Sequence, residues 1–341
     1  MKESQDKHKI AIVMAVYNTE RYLHEMVSDI LAQTMGDFRL FLVDDGSKDG
    51  SKKVAREFAE KDSRVVVLEK ANSGPGGARN FALDYIHEHN VDFDYIWFCD
   101  SDDRVEKTVL EQVVGAMDEY QVPYGLFSVH RVEKNVQTTY PSHFTGTTLM
   151  THQDVVRQYF RYGTKWKKEP CSEAFLNNKI FSFGVVKGHR FREDILRAED
   201  FDFFFQILPK LTSGVLIPEA FYKYRLRKTS LTNSYDKTGD LIICSNLYTK
   251  LEGRTDEEKI SIQHRLLRAY YLDICQAWNN GDKATFDALM ERYSKLKLRY
   301  RVLVKDYKVV LFLGPLRGIL PYFIWFRRKT KNNRDTSNYY E

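Results

Sequence analysis

Residues 95–103 read YIWFCDSDD, five apolar positions that run straight into three carboxylates within four residues. The apolar run predicts a buried strand, and the switch to Asp100, Ser101, Asp102 and Asp103 marks its carboxyl end. Upstream the same cadence repeats. Residues 10–16 (IAIVMAV), 38–43 and 65–68 predict three earlier strands. Between them, Tyr22, Leu23, Met26, Val27, Ile30 and Leu31 fall at helical spacing over 20–34, and 51–61 and 74–87 also predict helices. Strand and helix alternating this way imply βαβ units, an α/β fold and a mostly parallel sheet with right-handed crossovers.

Downstream, a helix is expected over 106–120 and a strand over 124–132, followed by a polar, Thr-rich stretch to about 148. Residues 151–215 are mixed, with a short strand at 178–183 and a helix after Glu199-Asp200 that carries Phe201 to Phe205. Residues 240–307 carry long amphipathic helical patterns. Three regions follow: a catalytic or binding domain over 1–235, a helical region over 236–308 and a tail over 309–341.

Composition narrows the class. The 341 residues are 43% hydrophobic and 29% charged, enough to bury a large core. The net charge of +5 is too small to argue a nucleic-acid binder. The aromatic share of 14% suits carbohydrate or nucleotide contacts and thick cores alike. Cys99, Cys171, Cys244 and Cys275 are far apart without a CxxC, which argues against a zinc site or a disulfide framework. The polar start, MKESQDKHK, has no apolar signal core, so a cytoplasmic protein is expected.

In an open parallel sheet, ligands bind beyond the carboxyl ends of the strands. Tyr17-Asn18, Asp44-Asp45 and Asp100–Asp103 all fall at that edge. Such residues also make ordinary turns, but two acidic clusters facing each other repel, so a positive or hydrogen-bond-donating group should sit between them. Asp100-Ser101-Asp102 offers hard oxygens to Mg²⁺ or Mn²⁺, ions that take one or two protein carboxylates and complete their shell with water and phosphate. Residues 72–80 (NSGPGGARN) enter a helix through glycines. They follow the third strand and lack the third glycine of a dinucleotide fingerprint, so a nicotinamide site is rejected. Arg79 there could reach a phosphate or base. Glu199-Asp200 reads either as a helix-start pair or as a positioned base. Tyr222, Tyr224 and the Phe201 to Phe205 run read as core, with stacking on acceptor sugars as the alternative.

VMAVYN (13–18), LVDDGSKDGS (42–51), SGPGGARN (73–80), FCDSDD (98–103) and RAEDFDFFFQ (197–206), in this order, resemble the family-2 bacterial inverting glycosyltransferases of the GT-A fold. The resemblance covers residue 8 to about 235. It implies a metal-dependent transfer from a nucleotide sugar, by preference a UDP-sugar, to a glycan or lipid-linked glycan hydroxyl, with Mn²⁺ or Mg²⁺ as cofactor. It places Ala15 against the nucleobase beside Tyr17 and Asn18, Asp45 on the uracil imide and Arg79 near base and phosphates. Asp100, with Ser101, would lie at the ribose or a metal-bound water, Asp102 on the metal, and Asp200 would be the general base. Residues 221–234 resemble a basic loop that closes on the diphosphate, with Arg225, Arg227, Lys228 and Ser230 as contacts. The resemblance points to bacterial cell-surface polysaccharide synthesis; a teichoic acid or protein-glycan glycosyltransferase, a nucleotidyltransferase and a non-enzymatic nucleotide-sugar-binding subunit remain alternatives.

The tail segment VVLFLGPLRGILPYFIWF (309–326) precedes RRKTKNNR. Gly314-Pro315 and Pro321 interrupt it, so a spanning helix is not expected. Either residues 309–334 lie in a membrane interface at the inner face of the cell membrane, or they pack on the helical region or on another copy in a homo-oligomer.

Overall fold

The computed structural model describes residues 8–133, 136–139, 142, 144–160, 175–195, 198–227 and 252–294. The chain divides into two compact units, Met1–Gly239 and Asp240–Glu341. The first unit opens with strictly alternating elements: β1 (His8–Val16), α1 (Glu20–Leu31), β2 (Phe38–Asp44), α2 (Ser51–Lys61), β3 (Val65–Glu69), α3 (Gly74–Glu88) and β4 (Phe93–Asp100). Their strands pair in parallel in the order β3-β2-β1-β4. Ile10 to Met14 of β1 have no exposed surface, as a strand covered on both faces requires. In α1, Leu23, Met26, Val27 and Ile30 form the buried stripe. The register sets Ala15 opposite Val43 on one side and Asp100 on the other, so the loops leaving β1, β2 and β4 start from one edge.

The second half of the sheet departs from the expected, mostly parallel arrangement. It is built from β5 (Arg104–Val105), β6 (Tyr124–Glu133), β7 (Val136–Thr139), β8 (Thr148–Thr151), β9 (Lys179–Ser182) and β10 (Ser213–Arg225). Of these, β9 threads between β4 and β6 and runs antiparallel to both, while β6 and β10 are parallel. β5 and β8 add antiparallel to β10, and β7 to β6. The result is a ten-stranded mixed sheet.

Where a mixed region and a flexible basic loop were expected, β10 forms one strand of 13 residues. Pro218 cannot donate to the ladder, and the register shifts between Ile217 and Ala220 and again before Tyr222. That break hides the strand's alternation.

The first unit also contains α4 (Val109–Tyr120), α5 (His152–Phe160), the single turn α6 (Phe183–Val186) and α7 (Glu199–Ile207). The aromatic run on α7 is core. Tyr159 stacks on Phe201 and Phe204 with ring centroids 4.6 and 4.5 Å apart, and Phe191 stacks on Phe203 at 3.9 Å. Tyr222 is fully buried with its ring edge against Trp97. Burial of each such ring is worth about 2–3 kcal/mol, and it removes these faces from contact with an acceptor sugar. Tyr224 is half-buried and stacks on Phe175.

Cys99 is buried and free. Cys171, Cys244 and the Cys275 side chain lie outside the described residues. The second unit contains α8 (Asp256–Asn279) and α9 (Lys283–Ser294). Among the described residues no helix is long and apolar enough to cross a membrane. The tail 309–341 falls outside them.

Candidate active site

The three loops at the common strand edge are tied to one another. Asn18 adopts a left-handed backbone with φ 51°, which asparagine tolerates better than most residues. Its amide donates to Ser47 Oγ at 3.2 Å, and its Oδ1 accepts from the Lys48 amide at 2.8 Å. Thr19 Oγ1 donates to Ser101 Oγ at 3.0 Å, which joins the first loop to the third. Ser101 is therefore a buried brace between the two loops. Beside these braces Ala15 is half-buried and Tyr17 is 44% exposed, so both keep surface facing outward at the edge.

Asp45 is 2% exposed and fully engaged. Its Oδ1 accepts from Lys70 Nζ at 2.9 Å and the Ser73 amide at 3.0 Å, and its Oδ2 from the Gly74 amide at 2.8 Å. These bonds cap the start of α3, where a carboxylate also meets the positive end of the helix dipole. The glycines that follow make room for protein. A Cβ on Gly77 would lie 1.9 Å from Ser73 Oγ, and one on Gly76 would lie 3.0 Å from the Arg192 carbonyl.

One turn into α3, Arg79 projects inward with 5% of its side chain exposed. Its Nη1 donates to Asp200 Oδ1 at 2.6 Å and Glu199 Oε1 at 3.0 Å, and its Nη2 to Asp100 Oδ1 at 3.2 Å. The guanidinium lies 5.3 Å from the centre of the Phe191 ring. This is the positive group that the two acidic clusters require, and it brings Asp100 and Asp200 together across 100 residues of chain. Asp45 and Arg79 were expected beside the base and phosphates. Both are held by protein partners, so contact with a nucleotide has to share or displace those bonds.

Burial sets the electrostatics of the cluster. It opposes charge on Arg79, but the carboxylates of Asp200, Glu199 and Asp100 outweigh it and hold the guanidinium protonated. Burial and the neighbouring Asp200 charge push Glu199 up to about 7 against the pull of Arg79. Asp200 is also raised by burial, with Arg79 opposing and Asp100 adding to the rise. Immediately before the pair, Ala198 sits at φ 60°. An L-residue with a Cβ pays roughly 1–2 kcal/mol there, a strain that accompanies the turn delivering Glu199 and Asp200.

Asp102 pairs with Arg227, and its carboxyl is raised by burial and by Asp100, with Arg227 opposing. Asp103 Oδ1 accepts the Arg225 amide at 2.7 Å, and burial with the neighbouring Asp102 and Asp100 charges pushes this carboxyl well up, against the Arg225 amide and the Tyr222 hydroxyl. The Arg225 guanidinium bonds Glu25 at 2.8 Å. Both arginines lie over Tyr22, at 4.6 Å for Arg225 and 5.2 Å for Arg227. Lys228 and Ser230 fall outside the described residues. Sequence reasoning missed Tyr22, Glu25, Asn177 and the bracing role of Glu199. Asn177 donates to Asp100 Oδ2 at 3.3 Å, and the Asp100 amide donates to the Tyr222 hydroxyl at 3.1 Å. Only Glu199 carried a signal, its adjacency to Asp200. Among the described residues no group of three or more His, Cys, Asp or Glu side chains is arranged to hold a metal ion.

Residues 11–189, just over half of the chain, match the sequence model described as Glycosyl transferase family 2. The chain belongs to that family. Its relatives include the glycosyltransferase GlyA of Streptococcus pneumoniae, 28% identical over 228 residues, which cover 66% of this chain and 31% of GlyA. The cholesterol galactosyltransferase of Borreliella burgdorferi is 25% identical over 313 residues, 86% of this chain and 83% of that one. This family-2 chain thus spans about a third of the length of the pneumococcal relative. Among solved structures, S. aureus TarS 1-349 in complex with UDP-GlcNAc superposes with a TM-score of 0.73 at 17% identity, covering 97% of this chain and 95% of that chain. That likeness shows the GT-A fold.

Proposed function

We propose that the chain transfers a sugar from a nucleotide-sugar donor, a UDP-sugar by preference, to a hydroxyl of a glycan or lipid-linked glycan, with inversion at the anomeric carbon. The observation that carries this is the Arg79 cluster. One buried guanidinium holds Asp100, at the end of β4, beside Asp200, at the start of α7. An acid at the donor edge and a candidate base thus share one small volume. Membership of the family supports the reaction class, and the TarS complex with UDP-GlcNAc supports the donor class.

In the proposed step Asp200 takes the proton of the acceptor hydroxyl as that oxygen bonds to the anomeric carbon. The bond from that carbon to the diphosphate breaks, and the nucleoside diphosphate leaves with the electron pair. Arg79 opposes the rise that burial imposes on the Asp200 carboxyl and so favours its charged, proton-accepting form. Arg225, Arg227 and Lys228 supply positive charge toward the departing phosphates.

The acidic turn suits a divalent cation. Asp102 and Asp100 offer hard oxygens at the end of β4, and Asp102 already takes a cationic partner, the Arg227 guanidinium. Mn²⁺ or Mg²⁺ would be held by Asp102, with Asp100 acting through water, the rest of the shell coming from diphosphate and water. When bound it would neutralise charge on the leaving group. The catalytic domain is assigned to residues 1–235.

Asp200→Asn tests the assignment. Nucleotide-sugar affinity should stay within about threefold of the parent while transfer falls by roughly 10²–10⁴, the usual worth of a positioned base. Unchanged turnover removes Asp200 from the mechanism. The donor itself is found by screening nucleotide sugars with Mn²⁺ for a rise in melting temperature, since a bound ligand stabilises by mass action.

A further inference from the structure

The contact between Arg227 and Asp102 puts a guanidinium on the carboxylate assigned to the cation. We propose that Arg227 is the resident counter-ion of this position, and that a divalent cation and the guanidinium exchange there: the cation takes Asp102, and Arg227 moves onto the diphosphate. The inference rests on the metal assignment made above and concerns how that site is kept without its ion.

Asp102 is neither open to water nor sealed. Its side chain is 16% exposed and that of Arg227 22%, so the carboxylate is desolvated enough to need a partner, yet the partner can leave. Asp100 crowds the same turn, and the ion pair with Arg227 is what offsets the burial of Asp102.

Two arginines lie nearby. Arg225 is fixed by its backbone, which pairs with Val132 and donates to Asp103 Oδ1 at 2.7 Å, and its guanidinium bonds Glu25. Arg227 lies two residues past Arg225, the last ladder residue of β10, and the contacts of its guanidinium include Asp102 and the Tyr22 ring, 5.2 Å from the centroid. It can release the carboxylate while the ring still guides it. A guanidinium recognises phosphate oxygens in the same forked geometry that it uses for carboxylate, so the released group is already suited to a diphosphate.

The test is Mn²⁺ binding to the full chain, read from the free-ion paramagnetic resonance signal without nucleotide. Arg227→Met should bind Mn²⁺ roughly fivefold tighter than the parent, the size of a partly buried ion pair that no longer has to be broken. Arg227→Lys should fall between them. With UDP added the order should reverse, the parent holding Mn²⁺ and UDP together more tightly than Arg227→Met. If Asp102→Asn abolishes Mn²⁺ binding but Arg227→Met binds no tighter than the parent, the exchange is wrong and the metal assignment stands. If no variant binds Mn²⁺ with or without UDP, the metal assignment itself fails. Melting curves of each variant establish that it is folded.

Discussion

Replacing Arg79 by methionine keeps the length of the side chain and removes the charge that three carboxylates share. In the parent, Asp200, Glu199 and Asp100 lie 2.6, 3.0 and 3.2 Å from its guanidinium nitrogens, and 5% of the side chain is exposed. Removing one partner of a buried ion pair costs about 3–5 kcal/mol, because the remaining charge stays buried and unpaired. At roughly 2–4 °C per kcal/mol for a domain of this size, the melting temperature should fall by about 6–20 °C at pH 8. The loss should shrink in acid. Without Arg79 the carboxylates titrate still higher in the folded state, the folded state then binds more protons than the unfolded one, and stability rises as pH falls. Circular dichroism melts of parent, Arg79→Met and Arg79→Lys at pH 5.5 and 8 measure this, with lysine retaining part of the stability. A drop under about 3 °C that is the same at both pH values would refute the claim that Arg79 is the buried counter-ion of the cluster.

Further outcomes are expected. In the parent, Glu199 is raised from 4.5 to about 7, so its contribution to stability is fully present below 4.5 and is lost as pH rises toward 7; Glu199→Gln should remove that slope from a pH series of melts. The same raised carboxylates should put the acid limb of the transfer rate above the ordinary carboxylate range, and a limb near pH 4 would contradict the assignment of Asp200. Gly77→Ala should destabilise by about 1–3 kcal/mol, because the new methyl meets Ser73 Oγ, and Ser73→Ala added to it should recover most of that loss in urea titrations.

Much of the first half of the sheet could be read from the chain. The run IAIVMAV is apolar because β1 is covered on both faces, and each carboxyl end is marked by acids, asparagine or glycine. Parallel pairing then forces Asp44-Asp45 and Asp100–Asp103 to one edge without further information. The partners of Arg79 were not legible in the same way. Glu199 and Asp200 lie 120 and 121 residues away, and their approach depends on α7 packing through Tyr159 and Phe191. The long strand β10 was hidden by Pro218, and its end by basic residues that look like a loop. Tyr22 looked like one more apolar position on α1, because the arginines over its ring come from the far end of β10.

The placement of β9 has a consequence for biosynthesis. The chain makes β4 by residue 100 and β6 by residue 133, but the strand that joins them, Lys179–Ser182, emerges later. Until it does, β4 and β6 each lack a neighbour on the side β9 will fill, and the exposed backbone of Tyr95 to Trp97 can template pairing with another nascent chain. The β1 to β4 unit is built from short-range βαβ crossovers and is expected to form first. A four-residue strand then completes the sheet late and from a distance. Truncations ending before residue 179 should therefore be soluble only with chaperone help, and slow refolding should be governed by the docking of that one short strand.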